Sequence, residues 1–263
     1  MLGMERTVAL GDGASTVVQH WGERGPIVLC IHGITSSRRS WTRFGEALAA
    51  THQVVAYDQR GHGDSAGVGG PMTLERSVAD LRAVAATLPG PVHLLVGHSW
   101  GGAVAVLGGR AIAPQKVIAI DPMLHVVPGT FAADYVEDLR VLLALESTPK
   151  EAAIRAMYAD AQASDVAGKV HAMLPMTIGP LERLGSENGT DDDGWDLREH
   201  VADYPVPLLV LAAGEDSVMS AQDLAFVRER GGSNVTVRVF EAEGHNLQRT
   251  AFEEFVRVVR AFD

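Results

Sequence analysis

The feature that most constrains this 263-residue chain is the pentapeptide Gly97-His98-Ser99-Trp100-Gly101 together with its flanks. A largely apolar run at residues 92–96 precedes it. The small-residue run Gly102-Ala103-Val104-Ala105-Val106-Leu107 follows it, so the chain reads as strand, sharp turn and helix with a serine at the turn. So tight a turn strains the serine and needs neighbours without Cβ atoms, which Gly97 and Gly101 provide. The start of the following helix favours developing negative charge beside Ser99.

A serine hydroxyl is a weak nucleophile near neutral pH, so it needs a base, and the base needs an orienting carboxylate. Gly244-His245-Asn246 closes the last apolar run and opens the terminal helix, which puts His245 on the same sheet edge as Ser99. The run at 206–213 ends in Gly214-Glu215-Asp216-Ser217. The chain order Ser, Asp, His therefore predicts Asp216 as the partner of His245. Asp121, at the end of the strand after the nucleophile helix, is the rival on that edge, and Glu215 stands one residue from Asp216.

Short apolar or alternating runs at 5–10, 15–21, 26–32, 53–57, 92–97, 116–121, 206–213 and 235–241 predict eight strands. Gly11-Asp12-Gly13 joins the first two as a hairpin. Helical stripes separate most of the others, among them Trp41, Phe44 and Leu48, then Leu74, Val78, Leu81, Ala85 and Leu88, and finally Phe252, Phe255, Val256, Val259 and Phe262. The expected class is α/β, an eight-stranded, mainly parallel, doubly wound sheet flanked by helices. Between Pro122 and Pro205 the alternation lapses into helical patterns, so residues 1–121 and 206–263 are expected to form a core domain and 122–205 a helical insert. Thr148-Pro149-Lys150-Glu151 is expected to start a helix of that insert, and Ser220-Ala221-Gln222-Asp223 has the form of a capping box. Asp191-Asp192-Asp193 lacks the spaced ligand pattern of a calcium loop and reads as a solvated surface turn.

Composition narrows the partners. Hydrophobic residues make up 46% and the net charge is −11, which suits a chain with a substantial core and disfavours nucleic acid or anionic membrane as a partner. The lone Cys30 sits in an apolar run and reads as a core hydrophobe, and neither a secretory leader nor a membrane span is evident, so a cytoplasmic location is expected. No cysteine pair or spaced histidine pair supports zinc, and no fingerprint supports a nucleotide; neither a metal nor a cofactor is expected. His20, His52, His93 and His98 are read as packing or surface residues.

These motifs resemble the α/β-hydrolase family over essentially the whole chain. The resemblance implies that His32-Gly33-Ile34 is an oxyanion loop, with the N–H groups of Ile34 and Trp100 as donors and His32 chiefly as a loop support. It implies that Asp58-Gln59-Arg60-Gly61-His62-Gly63-Asp64-Ser65 is a structural turn and that the insert is a cap. Epoxide hydrolases and haloalkane dehalogenases of the family carry aspartate where this chain has Ser99, so acyl transfer is implied instead, on a small or medium ester or a lactone. A cofactor-free C–C bond hydrolase, a perhydrolase and a hydrolase-like small-molecule receptor are the alternatives. Candidate substrate contacts are His32, Met123, Leu124, His125 and Met157, with Val126, Val127, Tyr158, Met173, Leu174 and Met176 as further cap residues. Arg38, Arg39 and Arg43 are read as a solvated helix face unless they turn toward the entrance, where they would offset the net charge for an anionic substrate.

Overall fold

The computed structural model describes residues 3–126, 133–188 and 194–263, and the side chains of 133–135 are not described. Val127, Phe131, the Tyr135 side chain and Asp191-Asp192-Asp193 therefore lie outside the described residues. The strands are β1 (Met4–Ala9), β2 (Ser15–Trp21), β3 (Ile27–Ile31), β4 (Gln53–Tyr57), β5 (Val92–His98), β6 (Lys116–Ile120), β7 (His125–Val126), β8 (Trp195–Asp196), β9 (Leu208–Ala213) and β10 (Val235–Phe240). Eight of them form one sheet in the order β1-β2-β4-β3-β5-β6-β9-β10, and β7 and β8 form a separate two-stranded ribbon. β1 and β2 pair antiparallel, as do β2 and β4; every other pairing in the large sheet is parallel. The eight-stranded, mainly parallel sheet anticipated from the eight runs is thus present, whereas the small ribbon carries no period long enough to read in sequence.

The helices are α1 (Thr42–Leu48), α2 (Leu74–Ala85), α3 (Trp100–Ile112), α4 (Ala133–Leu143), α5 (Ser147–Met157), α6 (Ala163–Met173), α7 (Gly179–Glu187), α8 (Ala221–Arg230), α9 (Leu247–Thr250) and α10 (Phe252–Phe262). Successive side chains of a strand point to opposite faces, so central parallel strands must be apolar throughout and covered on both sides. β3 and β9 are buried at every position. One face packs Leu29, Ile31, Leu95, Val117, Ala119 and Val210 against α2, α3 and α8 through Leu81, Ala103, Val106 and Val227. The other packs Val28, Cys30, Leu94, Val96, Ile118 and Leu211 against α1 and α10 through Phe44, Leu48, Phe255 and Val259. Each such large aliphatic side chain stabilises the fold by roughly 1.5–3 kcal/mol relative to exposure.

Four helices, α4 to α7, lie between β6 and β9 in the chain and bury a cluster of their own, with Leu139, Leu142, Ile154, Met173, Met176 and Leu181. Met173 and Met176 are part of that cluster rather than of the site below. α5 starts at Ser147 with Glu146 as its N-cap, slightly ahead of the Thr148 cap read from sequence, because no side chain there bonds the first turn. The Ser220 capping box forms as anticipated, with Ser220 N–H donating to Asp223 at 2.8 Å and Asp223 N–H donating to Ser220 Oγ at 3.1 Å. No helix among the described residues is long and apolar enough to cross a membrane.

Candidate active site

The turn from β5 into α3 places Ser99 at φ 57° and ψ −121°, a backbone conformation that L side chains rarely adopt. Its N–H donates to Ile120 O at 2.9 Å, and its carbonyl accepts from Gly102, Ala103 and Met123 N–H groups. Helix and strand meet so closely that a Cβ on Gly101 would lie 2.4 Å from the Ile31 carbonyl oxygen. A Cβ on Gly33 would come within 2.9 Å of Ser99 Cβ, so the glycine lets the loop after β3 close on the serine. That approach brings Ile34 to the same cavity as Ser99. Trp100 is the first residue of α3, where a helix leaves its N–H groups without intrahelical acceptors. Among the described residues, neither the Ile34 nor the Trp100 N–H donates a backbone hydrogen bond.

His245 follows β10 and borders the cavity, about 440 Å³ in volume, that Ser99 also lines. Its Nδ1 donates to Asp121 Oδ2 at 2.6 Å, not to Asp216. Asp121 stands directly after β6, is fully buried, and also accepts from Ala213 N–H at 3.2 Å, Ser217 Oγ at 2.6 Å and Val218 N–H at 3.0 Å. Four donors thus occupy the lone-pair sites of one carboxylate. This corrects the assignment of Asp216 as the partner. The loop after β9 is drawn to β10 by Gly214 and Glu215 N–H bonds to Glu243 O, and it turns Ser217 and Val218 onto Asp121. Asp216 itself sits at φ 47°, exposed at the cavity wall with no hydrogen bond or ion pair to a described residue. Glu215 is exposed as well.

Since Asp121 accepts from Nδ1, the Nε2 of neutral His245 carries the free lone pair. No hydrogen bond joins Ser99 Oγ to Nε2 among the described residues, although both line one cavity; contacts of this kind often tighten only around substrate. His98, read from sequence as a packing residue, lies under His245 with ring centroids 4.6 Å apart and donates from Nε2 to His245 O at 2.8 Å. Burial, and then the His245 charge, hold its pKa well below the ordinary histidine value, so it stays neutral.

Of the candidate substrate contacts, Met123 and His125 line the cavity. Three others do not, and each has a physical reason. His32 is fully buried beneath the loop, where Nδ1 donates to Gly33 O at 2.8 Å and Nε2 accepts from Gln59 N–H at 2.9 Å. Leu124 is buried in the main core, and Met157, 58% exposed at the end of α5, points to solvent while the next residue, Tyr158, lines the cavity. The turn after β4 is structural, as the resemblance implied: Arg60 pairs with Asp80 and Asp12, and His62 Nδ1 donates to Arg60 O at 2.7 Å. Arg38 departs from both of its sequence readings. It is wholly buried, paired with Asp58, Glu5 and Asp64, and its guanidinium fills the cluster of Asp58, Asp64 and His171 where a cation could otherwise sit. Arg43 pairs with Asp165 at 3.2 Å.

Two charged cavity residues escaped the sequence reading, Lys169 of α6 and Arg249 of α9, as did Thr35, Ser36 and Val218. Arg249 lies in the short helix that begins two residues after His245, and that closeness in sequence was the available signal. Nothing in the pattern around Lys169 distinguishes it from a surface lysine.

A family model described as the alpha/beta hydrolase family matches residues 28–258. N-formylmaleamate deformylase of Pseudomonas putida is 27% identical over 257 residues, covering 93% of this chain and 92% of that protein. Mouse protein phosphatase methylesterase 1 is 35% identical over 116 residues, covering 41% of this chain and 30% of its own length, so the chain matches well under half of that relative. Among solved structures, an N-formylmaleamic acid deformylase from Pseudomonas putida superposes with a TM-score of 0.79 at 22% identity, covering 98% of this chain and all 100% of the other. E-2-(acetamidomethylene)succinate hydrolase superposes with a TM-score of 0.78 at 22% identity, covering 99% and 98%.

Proposed function

The chain belongs to the alpha/beta hydrolase family, and we propose that it is a serine hydrolase that cleaves carboxylic esters or lactones through an acyl-enzyme on Ser99. The observation that carries this reading is the strained Ser99 facing a cavity shared with a histidine whose Nδ1 is held by a buried carboxylate. Ser99 Oγ attacks the carbonyl carbon while His245 Nε2 takes its proton, and the carbonyl electron pair moves onto oxygen, where the Ile34 and Trp100 N–H groups receive it. His245 then returns the proton to the leaving alkoxide as the C–O bond breaks. Water, deprotonated by His245, attacks the acyl carbon, and Ser99 leaves with the proton. Asp121 keeps Nδ1 protonated and stabilises the imidazolium at each stage. Residues 122–205 act as the cap over a core of 1–121 and 206–263, and Met123, Val126 and Tyr158 bring apolar surface to the acyl site.

A second reading is favoured by the similarity over 93% of the chain to N-formylmaleamate deformylase: the same acyl transfer from an activated amide, with nitrogen as the leaving atom. Hydrolysis of p-nitrophenyl esters of graded chain length by the wild type and Ser99→Ala tests the main reading. Turnover should fall by about 10⁴-fold or more in the variant. Turnover retained in a folded Ser99→Ala protein removes the nucleophile assignment.

A further inference from the structure

We infer that Lys169 and Arg249 form a subsite for a carboxylate on the substrate, so that the enzyme's preferred substrates are half-esters of short dicarboxylic acids. Lys169 is 7% exposed and lines the cavity with Ser99 and His245. Among the described residues its Nζ has one hydrogen bond, to Thr35 O at 3.3 Å, and lies 4.9 Å from the centroid of the Tyr158 ring. Arg249 donates from Nη2 to Ser36 Oγ at 3.0 Å, and its buried Nε has no acceptor among the described residues. Neither cation has a carboxylate within ion-pair distance among the described residues, since the nearby Asp165 is paired with Arg43.

Burying a cation without a counter-charge is costly, and two that face one cavity also repel each other. The same two causes act on their ionisation: burial and then the Arg249 charge push the Lys169 pKa well below the ordinary lysine value, and burial lowers that of Arg249. A carboxylate in the cavity removes both penalties, because it accepts from the Lys169 ammonium and the Arg249 guanidinium that line it and supplies the missing charge. In a chain of net charge −11, a positive spot inside the site also marks where an anion can enter against the overall field. Met123, Val126, Tyr158 and Val218 give the cavity an apolar stretch, which suits a short methylene spacer between carboxylate and scissile carbonyl.

The half-ester inference rests on the serine-hydrolase reading, whereas the anion subsite stands or falls separately. Calorimetric titration of the wild type with glutarate and with uncharged glutaramide tests the subsite directly. Glutarate should bind about tenfold or more tightly; equal or absent binding of glutarate overturns the inference. Lys169→Met, which keeps the stem, and Arg249→Gln should each weaken glutarate by about tenfold, and Arg249→Lys should recover part of the loss. Glutarate affinity unmoved in both neutral variants overturns the assignment to these residues. Monomethyl and dimethyl glutarate then read turnover: kcat/KM should favour the monoester, and the preference should shrink in both variants. A preference for the diester overturns the substrate class. Tight glutarate binding with no hydrolysis of either ester overturns the ester reading while the anion subsite survives.

Discussion

Two aspartates compete for one histidine, and backbone geometry decides between them. Asp121 leaves β6 at φ 38° with its side chain turned inward, where backbone and hydroxyl donors from the loop after β9 hold it under His245. Asp216 leaves the same edge in a left-handed turn that points it to the cavity mouth. Asp121→Asn should therefore lower kcat/KM for a p-nitrophenyl ester by about 10³–10⁴, since an amide no longer selects the productive tautomer or stabilises the imidazolium. Asp216→Asn should change it by less than about tenfold. The reverse ranking in steady-state kinetics would return the role to Asp216. Serine and histidine were legible in sequence because each carries a local signature of glycines and a strand end. The carboxylate was not, because both aspartates satisfy the same order along the chain and differ only in where their loops turn.

At the scale of elements, the site depends on how closely α3 seats against β3. Gly97 and Gly101 face each other across the turn, and Gly101 also abuts the carbonyl oxygens of Ile31 and His32 at the end of β3. Gly101→Ala would set a methyl 2.4 Å from the Ile31 oxygen and 2.5 Å from that of His32. Both contacts are backbone, so relief requires the strand and helix to part. We expect a loss of about 1–3 kcal/mol in urea unfolding, together with reduced activity as the Ile34 and Trp100 N–H groups separate. An unchanged unfolding midpoint would mean that the elbow yields more easily than this packing implies. The strands and their flanking helices could be read from periodicity alone, since burial on one or both faces leaves a direct trace in sequence. The start of α5 drifted to Ser147, because without a side-chain cap the first turn has no local marker.

Across the whole molecule, acid should unfold the protein through histidines that the fold keeps neutral. His62 is buried and its pKa is pushed down to about 4 from the ordinary 6.5, and burial also lowers those of His32 and His98 well below that value. Above about pH 6.5 these groups are neutral in both folded and unfolded chains, so their contribution to stability is constant. Below it the unfolded chain takes up protons that the native core refuses, and stability falls by about 1.4 kcal/mol per pH unit for each such histidine until its folded pKa is reached. Urea midpoints between pH 7.5 and 5 should show this fall, and His62→Gln should make it shallower; an identical slope in the variant would mean that His62 does not resist protonation in the fold. By itself the sequence determined the doubly wound α/β sheet, the strand–turn–helix at Ser99 and the place of His245 after the last strand, because strand alternation, helical stripes and flanking glycines are local and survive in one dimension. Only the tertiary structure decided that Asp121 holds His245, that Arg38 is sealed among carboxylates, and that Lys169 and Arg249 meet in one cavity. Those outcomes depend on how loops turn and how the 122–205 segment lies on the core, and contacts between residues dozens to hundreds of positions apart leave no periodic trace in the chain.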